Sequence, residues 1–182
     1  AKVAAARKAA AVEAASERRY KAAKAAKVRA ARKAAAAATD AIRGGWRVGP
    51  LHGIPIALKD LIEIKGRETK GGTAANKGRI SKYTATLAER ALKAGMIVIG
   101  KTHTVEFAMG GWGTNKGLGT PWNPWDMKNH RIPGGSSSGS GVATAAGLAV
   151  CGIGSDTGGS VRLPAAYCGI AGLKVTEGQL PC

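Results

Sequence analysis

Two serines and a lysine stand in contexts that suit acyl-transfer chemistry. Ser160 closes the run Gly154-Ser155-Asp156-Thr157-Gly158-Gly159-Ser160, and Val161-Arg162-Leu163-Pro164 follows it. The paired glycines leave the backbone ahead of Ser160 bare, so successive amides can turn inward as an anion-binding nest. A hydroxyl nucleophile beside such a nest suits attack on a carbonyl, because the oxyanion forms next to the attacking oxygen. A serine hydroxyl is a weak nucleophile and needs a base. His52, His103 and His130 all precede the serines, which breaks the Ser, Asp, His order of hydrolases that use an imidazole. A lysine can serve instead if burial keeps it neutral. Lys59 follows the apolar run Ile54-Pro55-Ile56-Ala57-Leu58 and precedes Asp60-Leu61-Ile62. Its stem would therefore be enclosed, although local sequence alone also allows a surface lysine at a strand end. Ser136 lies in the Gly/Ser run 133–141, 24 residues before Ser160.

Two motif matches are discounted on physical grounds. Residues 95–102, Gly-Met-Ile-Val-Ile-Gly-Lys-Thr, fit the phosphate-loop pattern G-x-x-x-x-G-K-[ST]. Four apolar residues in the middle favour a buried strand over an exposed loop, which makes Lys101 a strand-end residue. Residues 135–139 fit G-x-S-x-G, but Ile132-Pro133-Gly134 leads in where a nucleophile elbow needs an apolar strand. Ser137 and Ser138 read as loop hydrogen-bonders, Cys168 as a small packed residue, and Trp112, Trp122 and Trp125 as packing for a long loop.

The segments 49–60, 134–141 and 154–164, continued by Cys168-Gly169-Ile170-Ala171-Gly172-Leu173-Lys174, together resemble the amidase signature family. The resemblance covers residues 49–180. It implies a Ser–Ser–Lys triad in which Ser160 attacks the amide carbonyl, Ser136 relays the proton and Lys59 is the base. It also implies a cis peptide at Ser136 and an oxyanion hole from the amides of Thr157, Gly158, Gly159 and Ser160. Asp156 and Arg162 would brace the nucleophile loop as an ion pair, and Gly110 would line the acyl pocket. The implied reaction is hydrolysis of a carboxamide to a carboxylate and ammonia, with no cofactor and no metal. The alternatives are the glutaminase (A) subunit of a tRNA-dependent amidotransferase, or an inactive fragment whose basic arm binds nucleic acid. Members of that family are usually more than twice this length. Ala1 in place of Met and Cys182 without a stop-like tail suggest a fragment, and the resemblance implies that it is the N-terminal part, with the C-terminal half missing.

The elements that must hold these residues are partly legible. Residues 1–42 are an Ala run studded with Lys and Arg, without Pro or Gly, and predict one or two helices that Gly44-Gly45 ends. Val3, Tyr20, Val28 and Ile42 would share one face with Lys2, Lys21 and Lys24, with Val12 off it. The basic residues fall all round the wheel, so a solvated arm is expected. Strands are predicted at 54–58, 96–99 and 150–154, and helices at 84–94 and 139–148. Residues 110–135 read as a long loop. Alternating helix and strand imply an α/β fold. The resemblance sharpens this to a mixed sheet covered by helices, cut short at its C-terminal side. Residues 1–44 would form the arm and 45–182 the N-terminal part of the catalytic domain.

Composition bounds the partners. The net charge is +17, yet residues 1–48 hold 13 Lys/Arg against 3 Asp/Glu, a net of +10. A basic chain invites a nucleic-acid partner, but charge concentrated in an arm says little about the body. A small-molecule amide and a homodimer are the partners expected, without nucleic acid or membrane. The odd count of three cysteines, Cys151, Cys168 and Cys182, suggests free thiols and a cytoplasmic setting.

Overall fold

The computed structural model describes residues 2–180. Cys182 lies outside them, and the side chains of Lys2, Val3, Tyr20 and Lys24 lie outside the described ones.

The Ala-rich run forms one helix, α1 (Lys2–Arg43). It stops at the expected glycines. The amides of Gly44 and Gly45 return to Asp40 and Ile42, and Gly45 takes φ +82°, a conformation that costs glycine nothing. Along most of its length α1 is exposed. Only its last turns reach the body, where Ala38 is buried and meets Gly53 together with Ile42.

The body is built on a three-stranded sheet in the order β2-β1-β3, with β1 spanning Pro55–Lys59, β2 Ile97–Thr102 and β3 Cys151–Ile153. Both strand pairs are parallel. The chain therefore crosses over between strands, and helices cover both faces. Ile56 and Leu58 point to one face of β1 and join Ile62, Ile64, Val98, Ala88 and Ala91 in the main apolar cluster. Ala88 and Ala91 come from α2 (Thr86–Lys93). The inward stripe of α2 is thus centred on alanines, with Leu87 partly buried beside them, while Leu92 is 44% exposed. Ala57 and Lys59 point to the opposite face, where α3 (Ser138–Ala145) lies. With both faces covered, Ile56, Ala57, Leu58 and Lys59 are all buried.

The register of β1 on β2 slips between Ile56 and Ala57. Ile99 is left without a partner there, and beyond this bulge Lys59 comes opposite Thr102. The stretch 95–102 is a turn at Gly95 followed by a strand, not a phosphate loop. Lys101 sits at that strand's end and holds Asp60 at 3.1 Å. Residues 109–137 carry no helix or strand, as read from the sequence. The tryptophans in that loop do not all pack it: Trp112 is 67% exposed, while Trp122 stacks on His130 and Trp125 Nε1 donates to the Cys168 carbonyl. A short helix, α4 (Arg162–Cys168), was not expected. Pro164 is tolerated in its first turn, where no amide is needed.

Candidate active site

Lys59 ends the central strand with no solvent exposure. Its Nζ donates to Ser136 Oγ at 2.6 Å and to Ser155 Oγ at 2.8 Å. Burial pulls its pKa down to about 8, against the opposing charge of Asp156. Desolvation disfavours the ammonium, and a nearby carboxylate favours it. The turn after Lys59 is pinned by Asp60, whose carboxylate holds Lys101 and accepts the Lys70 amide at 3.2 Å.

Ser136 is brought to Lys59 by a backbone fixed on both sides. The Gly135–Ser136 peptide is cis. The Gly135 amide donates to the Gly111 carbonyl at 2.7 Å. The Ser136 carbonyl accepts the Val105 amide and the Thr104 hydroxyl, each at 3.1 Å, so the exit of β2 holds Ser136 in place. Ser136 itself is fully buried.

The next residue joins this segment to the second one. The Ser137 amide donates to the Ser160 carbonyl at 3.2 Å, and Ser137 Oγ exchanges bonds with the backbone of Ser155. Ser137 therefore bonds as expected, whereas the buried Ser138 hydroxyl has no partner among the described residues. Cys168 is buried, its thiol directed at the Pro133 carbonyl.

The loop that carries Ser160 is organised by Asp156, whose side chain is 2% exposed. Its two oxygens accept the amides of Gly159, Val161 and Arg162, and the Arg162 guanidinium at 3.0 Å. The arginine and these amides hold the carboxyl well below the usual carboxylate range. The expected Asp156–Arg162 pair is thus present. The Gly159 amide is committed to Asp156 at 2.7 Å, which takes it away from an oxyanion. The amides of Thr157, Gly158 and Ser160 have no acceptor among the described residues. Thr157 and Gly158 are exposed, and Ser160 is half-buried.

Gly110 lies beside the Gly135–Ser136 segment. Its carbonyl oxygen is 2.8 Å from where a Cβ on Gly135 would stand. The chain approaches it through Phe107 and Ala108, both at positive φ, 49° and 59°. Two consecutive non-glycine residues in that region are uncommon, and such conformations gather at functional sites.

Ser155 is the residue that sequence reasoning missed. Its signal lay in strand pairing: Leu58 is level with Ile153, so the residues just past β3 arrive beside Lys59. None of the three histidines bonds to Ser136 or Ser160. His52 accepts the Val48 amide, His103 contacts the Leu118 carbonyl and His130 lies against Trp122. Among the described residues no group of three His, Cys, Asp or Glu gathers that could hold a metal.

Comparison with known proteins identifies the family. A family model described as Amidase matches residues 6–182. The chain is 50% identical over 137 residues to the A-subunit of the glutamyl-tRNA(Gln) amidotransferase of Symbiobacterium thermophilum, an alignment that covers 75% of this chain and 28% of that protein. It is 44% identical over 146 residues to the 2-amino-5-chloromuconic acid deaminase of Comamonas testosteroni, covering 80% of this chain and 32% of that one. Among solved structures, the native peptide amidase from Stenotrophomonas maltophilia superposes with a TM-score of 0.68 at 40% identity, over 76% of this chain and 29% of that one. The chain thus spans less than a third of the length of each relative.

Proposed function

The chain belongs to the amidase family, and from that premise we propose that it carries the catalytic set of an enzyme hydrolysing a small-molecule carboxamide to a carboxylate and ammonia. The observation that carries this reading is the buried contact of 2.6 Å between Lys59 Nζ and Ser136 Oγ, in a segment joined through Ser137 to Ser160. With Lys59 neutral, its lone pair takes the Ser136 proton as Ser136 takes the Ser160 proton. Ser160 Oγ then bonds to the amide carbon, and the charge that builds on the carbonyl oxygen is met by the amides of Thr157, Gly158 and Ser160. When the C–N bond breaks, Lys59 returns its proton through Ser136 to the departing nitrogen as ammonia. Water then releases the acid from Ser160 by the same relay. Gly159 shapes the loop, Asp156 and Arg162 brace it, and Gly110 lines the acyl side. The setting proposed is cytoplasmic, where thiols such as Cys151 and Cys168 stay reduced. No described helix is long and apolar enough to cross a membrane.

The test is a fluorophosphonate probe, which phosphonylates an activated serine. Labelling should map to Ser160 and be lost in Ser160→Ala, along with amide hydrolysis. An unlabelled Ser160, or a Ser160→Ala protein that hydrolyses amides normally, sinks the assignment. The expected homodimer is checked by sedimentation equilibrium.

The identity to an amidotransferase component favours a second reading within the same chemistry. Glutamine would be the amide, and its ammonia would pass to a partner protein. Activity confined to glutamine, with a partner that co-purifies, selects this reading; hydrolysis of other carboxamides by the protein alone selects the first.

A further inference from the structure

The outer face of α1 carries charge that the amide chemistry does not use. Residues 2–43 hold 12 Lys/Arg against 3 Asp/Glu, a net of +9. Basic residues occur all round the helix, but not evenly. Arg7, Arg18 and Arg29 follow one another at a step of 11, and so do Lys21, Arg32 and Arg43. Eleven residues are close to three full turns, so each row runs nearly straight along the helix, and the rows lie side by side. Together they make a stripe about 80° wide and about 54 Å long. All six residues are exposed.

The stripe points away from the body. Ala31, Ala38 and Ala41, the residues of α1 with the least exposure, lie about 150° round the wheel from it. Glu13 and Glu17 face the body side as well. With Ala9 and Val12 they line an open hollow of about 950 Å³ whose other wall includes Lys70 and Lys77. Glu13 is thus turned from the stripe, and Glu17 reaches only its edge. Only Lys21 is paired, with Glu17 at 2.8 Å, and among the described residues no carboxylate pairs with the five arginines.

An unneutralised line of arginines calls for a partner that presents a line of anions. A membrane surface would also need a broad apolar face on the helix, and the described large apolar residues of α1 are only Val12, Val28 and Ile42. A nucleic acid fits better. Its phosphates repeat regularly along tens of ångströms, and the guanidinium fork matches each one with two hydrogen bonds. The stripe holds no aromatic side chain on which a base could stack, so contact is confined to phosphate. We propose that this stripe is a docking surface for the phosphate backbone of a nucleic acid, bound without sequence preference. The proposal is independent of the amide chemistry.

The test is titration of the full chain against fluorescent RNA and DNA duplexes of about 24 base pairs, with salt raised from about 50 to 200 mM. Six phosphate contacts predict a loss of about 10³ in affinity over that range. R18Q/R29Q/R32Q should weaken binding at least about tenfold and reduce the salt slope by nearly three. K8Q/K27Q/K33Q removes the same charge from outside the stripe and should weaken binding less than about threefold. Circular dichroism checks that both variants keep the helix, and Gln is close to Arg and Lys in propensity. Equal losses in the two variants would mean that net charge alone acts, and would overturn the proposal. So would tighter binding to phosphatidylserine vesicles than to either duplex, or no duplex binding at low salt.

Discussion

Lys59 has lost water on every side yet keeps two hydroxyl partners and a carboxylate nearby, and these influences pull its proton in opposite directions. Desolvation wins, leaving a pKa of about 8 where 10.5 is ordinary. A base must be free of its proton, so kcat/KM for an amide should rise with pH through about 8 and level off above it. Ser155→Ala removes one oxygen that stabilises the ammonium. The rising limb should then move to lower pH by up to about one unit, and the plateau should fall about tenfold as the amine loses its alignment. A pH–rate profile reads both. A limb that stays in place would mean that Ser155 does not act on Lys59. Folding shares the same linkage. The folded pKa lies below the unfolded one, so burying Lys59 costs stability in full below pH 8, and the cost fades as pH rises toward 10.5. At this scale the glycines and the apolar run that flank Lys59, Ser136 and Ser160 made the local backbone around them legible in the sequence. Ser155 was hidden because its hydroxyl acquires meaning only once β3 is paired with β1.

The elements meet through residues chosen for smallness. Gly139, in the first turn of α3, lies where a Cβ would stand 2.2 Å from the His103 backbone nitrogen, and Gly152 on β3 lies where one would stand 2.8 Å from the Ser140 carbonyl. These two positions let α3 press against the strand ends, so that Ser136, two residues before α3 begins, arrives over Lys59. Gly139→Ala leaves only backbone to yield. It should cost about 3 kcal/mol in urea unfolding and reduce probe labelling of Ser160. Unchanged stability would mean that α3 can stand further off. Strands β1, β2 and β3 and helices α2 and α3 could be read in advance because each shows an apolar run or a run of small residues between glycines. Helix α4 could not. It spans seven residues with a proline third, too short for a 3.6-residue period to repeat. Which amides stay free was equally illegible, since nothing in Thr157-Gly158-Gly159-Ser160 says which one Asp156 will claim.

Over the whole molecule the arm and the body are one chain of packing only at the last turns of α1. The family match also begins inside that helix, at residue 6, so nothing in it sets the arm apart at residue 44. Ala38 is 6% exposed, whereas Ala26 is on the exposed surface. A38D should destabilise the protein by about 2–4 kcal/mol, because a charge is buried without a partner, while A26D should stay within about 0.5 kcal/mol. Thermal or urea unfolding of the two variants checks this, and equal effects would mean that the arm docks along more of its length. Hydropathy has its limits here. It would bury Met109 and Leu173, which stand 81% and 80% exposed, because burial depends on which surfaces meet and not on side-chain type alone.

The enclosure of Lys59 sorts the amines of this protein by reach. A lowered pKa leaves more of an amine unprotonated at neutral pH and open to acylating reagents. Lys59 would be the first to react if a reagent could touch it. With no exposed surface, it is shielded while Lys8, Lys21, Lys27 and Lys33 along the arm stand open. An activated-ester resin should therefore couple through the exposed lysines of arm and body alike, Lys65, Lys82, Lys93 and Lys174 included, and leave Lys59 unmodified.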